Sequence, residues 1–499
     1  FIGVCLNFFR GVRAEAGGGM FTPRIWSVLP AWDGLAGWVL LPLALGALAV
    51  INTWDMPTYL ALAVLAFLLR EYLRTGRVLL VPAAVFTLWV GGASLLFYWP
   101  FFAHYQAISV GLGLVHTKDA LSDWLTIWGF FYFLAATWVL MALAHNRSRL
   151  ALLRWARLFL RRWERLPRLT ELHGLLVREA RPAYVLGLYG VGLVALAWVV
   201  LIALKFHVPA ALLPLLVGGA LLLLGREEEA EETFTTLLLF VGLLVAAGVE
   251  VVYMKDFLGG GDHYRMNTLF KFYIQVWVLL GCGTAAALPR IWRRVAAWRS
   301  RSGRWAWQAA FILLLVGTSL FLPLGTAARV QDRFPGERPP IGTLDGMAYM
   351  TVGRYMWPDP EHPIDLKWDY LALQWLLEHV KGTPVIAEGR IDYYREGGMR
   401  VASYTGLPTF LGAHQGEQRY SWQVGERDGI AKEFFNTPDI ARAQEIIRDL
   451  HVEYIYIGTL ERYVYDPRGL EKFAQMEQMG LLETVYQNDQ VTIYRVVER

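Results

Sequence analysis

Cysteine is nearly absent: among 499 residues only Cys5 and Cys282 occur, one near the start and one inside an apolar run. Two such cysteines exclude a disulfide framework and a cysteine-based metal site. Charged residues are scarce too, at 18%, and the net charge is only +4. With no nucleic-acid-binding motif in the chain, that balance excludes a polybasic partner of nucleic acid. The centres of the long apolar runs carry almost no charge, and no internal repeat is visible, whereas transporters often show both repeats and polar, broken helices. The chain begins at Phe1, without an initiator methionine or the basic, apolar and small-residue regions of a signal peptide. The expectation is a truncated N-terminus, residues 1–9 before Arg10 and Arg13 being the tail of a helix that starts earlier.

What remains is strongly apolar. Hydrophobic residues make up 55% and aromatic residues 14%, and the mean hydropathy is +0.35. A chain of this length and composition needs a bilayer as one of its solvents. The apolar runs fall within residues 35–325, while 326–499 has the composition of a globular domain. The sequence predicts a polytopic α-helical membrane protein with a C-terminal soluble α/β domain. Residues 1–34 would be a cytoplasmic segment, 35–325 the transmembrane domain with a basic cytoplasmic loop at 145–182, and 326–499 an extracytoplasmic domain. A span takes roughly 20 apolar residues to cross about 30 Å of hydrocarbon. About nine stretches qualify: 35–52, 57–73, 78–101, 121–144, 183–205, 209–225, 233–250, 267–289 and 305–325.

Arginine sets the orientation. Arg70, Arg74 and Arg77, then ten arginines from Arg147 to Arg181, then Arg290, Arg293, Arg294, Arg299, Arg301 and Arg304 follow alternate spans. The positive-inside bias puts these loops, and the N-terminus, in the cytoplasm of a multi-pass cell-membrane protein. Segments 52–57, 102–120, 251–266 and 326–499 then lie outside. Between Arg147 and Arg168, arginines on one face and Leu152, Trp155, Phe159 and Trp163 on another predict an amphipathic helix in the inner headgroup layer.

Charge inside a bilayer is costly, so its position is informative. Asp55, Asp123, Glu250, Asp256, Asp262, Arg265 and Lys271 all fall near the outer ends of spans or in outer loops, which points to a site at the outer boundary. In Asn52–Tyr59, Asp55 precedes Pro57 and reads either as a helix cap or as a site carboxylate. The aromatic stretch Tyr98–Tyr105, with His104 and Tyr105, reads either as an interfacial belt or as a stacking surface for substrate. The segment Glu250–Asn267 is the richest, with Glu250, Lys255, Asp256, Gly259-Gly260-Gly261, Asp262, His263 and Arg265 in one short loop. Glycines that expose backbone N–H groups ahead of a helix N-terminus can hold an anion. Asn267, Lys271 and Gln275 recur every four residues, a polar stripe that must face protein or a wet cavity. Internal ion pairing without chemistry is the competing reading.

Beyond 325 the pattern becomes mixed. Trp368–Val380 reads as a helix, Pro384–Ala387 as a strand, Thr437-Pro438 as the capped start of a helix ending near Leu450, Glu453–Ile457 as a strand, and Thr484–Tyr486 with Val491–Val497 as a hairpin. A loop-rich stretch holds His414, Glu417, Arg419 and Trp422, either substrate contacts at the membrane face or solvated loop residues.

The segments NTWDMPTY (52–59), RMNTLFKFYIQVW (265–277), GLPTFLGAHQGEQRYSW (406–422) and YIYIGTLERYVY (454–465) resemble the multi-pass "YYY" membrane protein family, a domain of unknown function. That family looks like the GT-C glycosyltransferases, which take sugar from a lipid-phosphate donor at the outer membrane face. The sequence departs from the family in lacking its tri-tyrosine motif and its Asp-Leu-His-Pro-His segment. In GT-C enzymes an early outer loop carries the key aspartate, so the resemblance implies a catalytic carboxylate ahead of Phe1 and a stretch inactive by itself.

The leading expectation is a GT-C-like glycosyltransferase using a polyprenyl-phosphate sugar, with a glycan, lipid or protein acceptor. Such transfer needs a carboxylate to take the acceptor proton, and positive charge or a divalent metal ion for the leaving phosphate. Asp55, Glu250, Asp256 and Asp262 are the available acids. Lys255, Gly260, Arg265 and Lys271 are the phosphate holders, Arg265 and Lys271 foremost, and His263 suits either role. A transporter or lipid flippase, and a non-catalytic envelope assembly protein, are the alternatives.

Overall fold

The computed structural model describes residues 1–10, 35–105, 111–145, 182–225, 229–256, 261–334, 336–356, 359–389, 399–411 and 421–497, with positions 171 and 174. The basic amphipathic segment 147–181 is otherwise outside these residues. The chain divides into two units inside one helix, between Thr318 and Ser319.

The first unit is helical: α1 (Ile2–Arg10), α2 (Leu35–Ile51), α3 (Asp55–Thr75), α4 (Leu80–Phe97), the single turn α5 (Trp99–Phe102), α6 (Leu121–His145), α7 (Pro182–Ala203), α8 (His207–Leu223), α9 (Ala230–Gly248), α10 (Met266–Ala296) and α11 (Arg301–Arg333), whose residues from Ser319 on belong to the second unit. Among the described residues six helices are long and apolar enough to cross a membrane, namely α3, α4, α6, α9, α10 and α11, and three apolar helices are shorter, within α2, α7 and α8. Each lies within or over one of the predicted stretches, and six of them reach the length of a span. The bounds differ at α10 and α11, which run on to Ala296 and Arg333 because arginine is a good helix former outside the bilayer as well.

In lipid no water drives helices together, so packing and internal hydrogen bonds must. α9 and α10 meet at glycines: a Cβ on Gly242 would lie 2.9 Å from the Leu280 side chain, and one on Gly283 would lie 2.8 Å from that of Leu239. Trp138 of α6 donates to Thr236 Oγ1 of α9 at 3.0 Å, and Ser94 of α4 donates to the Pro42 carbonyl of α2 at 2.9 Å. Gly76, at φ 74°, closes α3 by donating its N–H to the Tyr72 carbonyl.

Ion pairs sort the helix ends. Arg10 at the end of α1 pairs with Glu231 at 2.7 Å, Arg290 and Arg294 late in α10 pair with Glu232 at 3.1 Å each, and Tyr72 late in α3 donates to the Leu224 carbonyl after α8. The ends of α1, α3, α8 and α10 therefore gather with the start of α9. The starts of α3, α6, α8 and α10 belong to the opposite end.

The second unit holds β3 (Arg354–Tyr355), β4 (Ile364–Asp365), α12 (Lys367–His379), β5 (Val385–Ala387), α13 (Arg400–Thr405), α14 (Ser421–Asn436), α15 (Ile440–Asp449), β6 (Val452–Ile457), α16 (Thr459–Val464), α17 (Pro467–Gln478), β7 (Leu482–Gln487) and β8 (Thr492–Val496). A four-stranded sheet has the order β5-β6-β8-β7, with β5 parallel to β6 and the other pairs antiparallel. The alternation in Tyr454-Ile455-Tyr456-Ile457 divides its faces: Ile455 and Ile457 pack with Phe434, Ile446 and Phe473, while Tyr454 and Tyr456 pack with Leu373 and Leu376 of α12. The β7–β8 hairpin, β5, β6 and α12 agree with the sequence. The cap of α15 does not: Asp439 accepts from the N–H groups of Ala441 and Arg442, and Thr437 instead accepts from Asp439. A carboxylate closer to the first turn displaced the hydroxyl.

Candidate functional site at the loop ends of the helical unit

Two loops distant in sequence are joined by a short ladder. β1 (Gly111–Leu114) pairs antiparallel with β2 (Val252–Lys255), Gly111 opposite Lys255 and Leu114 opposite Val252. This pairing carries His116–Asp119 to the end of α9. Tyr264 locks the junction: its hydroxyl accepts from the N–H groups of His116 and Thr117 at 3.2 and 3.1 Å, and its ring stacks on His116.

Arg265, just before α10, is 5% exposed and reaches two carboxylates. It donates to Asp119 Oδ1 at 2.5 Å, to Glu250 Oε1 at 3.3 Å and to the Val249 carbonyl at 3.3 Å. Glu250, 1% exposed, also accepts from Tyr273 at 3.4 Å and from the Asp119 N–H at 3.3 Å. Burial, then the hydrogen bond and charge of Asp119, push the Glu250 carboxyl above the usual carboxylate range, against the pull of Arg265. A carboxyl so raised is a better proton acceptor than an exposed one. Lys118 points away, donating to the Leu204 carbonyl at 2.8 Å and lying over Phe206.

Below this cluster, α6 and α10 enclose a cleft of about 580 Å³ lined chiefly by apolar and aromatic side chains, with Asp119 and Asp123 at its polar end. Trp124 and Trp128 line it as well, and their buried indole N–H groups have no partner among the described residues.

A second polar group occupies a different face of α10. Gln275 donates to Asp55 Oδ1 at 2.8 Å and to the Trp54 carbonyl at 3.0 Å, and Asn52 donates to the same Asp55 oxygen at 2.8 Å. Asp55 is the first residue of α3 and makes no capping bond, so the cap reading fails. Burial against α10 gives it side-chain donors in place of the helix N–H groups. Asn267 donates to Asp256 at 2.8 Å, which ties the stripe to the loop after β2. Gln275 and Tyr273 are two residues apart, about 200° around a helix, so the Asp55 and Glu250 clusters lie on opposite faces of α10.

The remaining predicted residues are scattered. Lys255 and His263 are exposed, and Lys271 is half-buried beside the Phe270 ring. His104 is exposed, whereas the Tyr105 hydroxyl lies 3.1 Å from that of Thr53 and its ring stacks on Phe101. Gly260, the side chain of Asp262, and His414, Glu417 and Arg419 are outside the described residues, as is the side chain of Trp422. Among the described residues no group of three or more His, Cys, Asp or Glu is arranged to hold a metal ion. Sequence reasoning missed Asp119 and Tyr273. The only signal for Asp119 was the polar run His116-Thr117-Lys118-Asp119 just ahead of a span.

A family model described as uncharacterized membrane protein (DUF2298) matches residues 2–280, more than half of the chain. It covers the segments 52–59 and 265–277 and stops short of 406–422 and 454–465. No curated protein matches the chain.

Proposed function

The chain belongs to the DUF2298 family of uncharacterized membrane proteins, and we propose that it is a GT-C-like glycosyltransferase drawing on a polyprenyl-phosphate sugar at the outer face of the membrane. All nine apolar helices cross the bilayer in this reading, with Arg10 at the inner side, Phe1 packed on Tyr59 within the bundle, and residues 326–499 outside. The gathering of the basic ends of α1 and α10 at one side of the unit supports it, since arginine favours the cytoplasmic side.

The observation that carries the proposal is Glu250: a buried carboxyl, its pKa raised by burial, bonded to Arg265, to Tyr273 and to the Asp119 N–H, the last two residues lining an apolar cleft. In the transfer, the acceptor oxygen attacks the anomeric carbon, its proton passes to Glu250, and the C–O bond to phosphate breaks with the electron pair leaving on phosphate. Arg265 is neutralised by its two carboxylates, so it holds Glu250 and Asp119 in place. The departing phosphate needs a cation from outside this cluster, because Lys271 lies about 200° around α10 from Tyr273, on the side of Asp55. Full-length protein in nanodiscs, given a radiolabelled polyprenyl-phosphate sugar and membrane lipid acceptors, should release free polyprenyl phosphate. A Glu250→Gln variant of unchanged melting temperature should be slower by about 10² to 10⁴. Equal rates for the two proteins would remove Glu250 from the mechanism, and absence of turnover across donors would reject the transferase.

A further inference from the structure

The cleft between α6 and α10 has a chemistry of its own. Ile127, Phe270, Ile274 and Trp277 line it, and each is more than half exposed, so in a bilayer its mouth opens to lipid chains and not to water. Its volume, about 580 Å³, lies in the range of small-molecule sites. The polar end is unusual for a lipid site because it offers acceptors. Asp123 is exposed at the first turn of α6 and is hydrogen-bonded by Ser122 at 3.2 Å, and Asp119 keeps 31% of its side chain exposed. The nearby cations are already engaged, Arg265 with Asp119 and Glu250, Lys118 with the Leu204 carbonyl. Lys271, beside the Phe270 ring, acts on Asp55 and not on these acids, so a phosphate placed there would meet two carboxylates, whereas a hydroxyl would find acceptors.

We propose that this cleft binds a long-chain lipid with an uncharged, hydroxylated head, its chain between α6 and α10 and its hydroxyls donating to Asp119 and Asp123. Resting on the transferase reading, this lipid is the acceptor: a hydroxyl at Asp119 lies next to Glu250, which is hydrogen-bonded to the Asp119 N–H.

The test is photolabelling of the full-length protein in nanodiscs containing a trace of an uncharged glycolipid with a diazirine in its chain, sites being mapped by mass spectrometry. Labels should fall on α6 and α10 and be competed by unlabelled glycolipid, but not by a phosphate-headed or ethanolamine-headed lipid of equal chain length. Ile274→Trp, which fills the cleft, and Asp123→Lys, which makes its rim cationic, should each weaken labelling about tenfold. Labelling that follows bulk lipid, or that phosphate or ethanolamine heads displace better, would overturn the proposal. Because labelling needs no turnover, a saturable site without transfer activity would retain this site and reject the transferase. Transfer activity with diffuse labelling would do the reverse.

Discussion

Each unit buries an arginine between two carboxylates, and the two clusters differ in how fully their charges are satisfied. In the second unit Arg400 donates to Asp369 and to Glu461 at 2.6 Å each. Asp369 takes a further bond from Tyr456, and Glu461 takes the N–H groups of Gly458 and Gly389. Asp369, Arg400 and Glu461 are all at most 3% exposed. In the first unit the Arg265–Glu250 bond is longer, 3.3 Å, Asp119 is partly open, and an apolar cleft adjoins. A closed, satisfied network fixes a fold, and a partly open one beside a cleft is suited to chemistry. The same three residue types thus serve two ends, and the surroundings decide which.

The contrast can be broken first at the arginines. Arg400→Met leaves two buried carboxylates without their cation and should cost about 3–5 kcal/mol. Arg265→Met should cost clearly less, because Asp119 is already 31% exposed and Glu250 keeps its bonds from Tyr273 and the Asp119 N–H. Denaturant unfolding of the full chain, with proteolysis to report on each unit, checks both. Equal losses would erase the distinction.

A smaller effect comes from Glu388, which accepts from the N–H groups of Val401 and Ala402 at 2.9 and 3.1 Å and is raised to about 7 by burial, against the pull of Arg400. Between about 4.5 and 7 the folded state holds a proton that the unfolded state has lost. The resulting stability is full below about 4.5 and disappears as pH rises through about 7, a swing of at most about 3 kcal/mol. Melting of the second unit from pH 5 to 8 should therefore fall in the native chain and stay level in Glu388→Gln. A slope unchanged in the variant would assign the effect elsewhere. The smallest expected effect is Asp439→Ala at the start of α15, about 1 kcal/mol at all pH values above the carboxylate range.

The sequence made the helical unit legible because long apolar runs and arginine-rich ends are local signals. The cluster around Arg265 was only half legible. Glu250 and Arg265 stand out as charges at a span end, but Asp119 becomes a site residue only through the β1–β2 ladder. Gly111–Leu114 and Val252–Lys255 are too short and too far apart in the chain to announce that pairing. Tyr273 sits in an aromatic span where one more ring carries no signal. The Gln275 stripe was readable by its spacing, and its partner Asp55 was not, since a carboxylate two residues before proline fits a cap equally well.

The most direct test of the contrast is an infrared titration of the Glu250 carboxyl in the full-length protein in nanodiscs, its band assigned by loss in Glu250→Gln. A midpoint above the usual carboxylate range that moves down in Asp119→Asn, which removes the neighbouring negative charge, is expected. A carboxyl already ionised at pH 5, or a midpoint indifferent to Asp119, would contradict it.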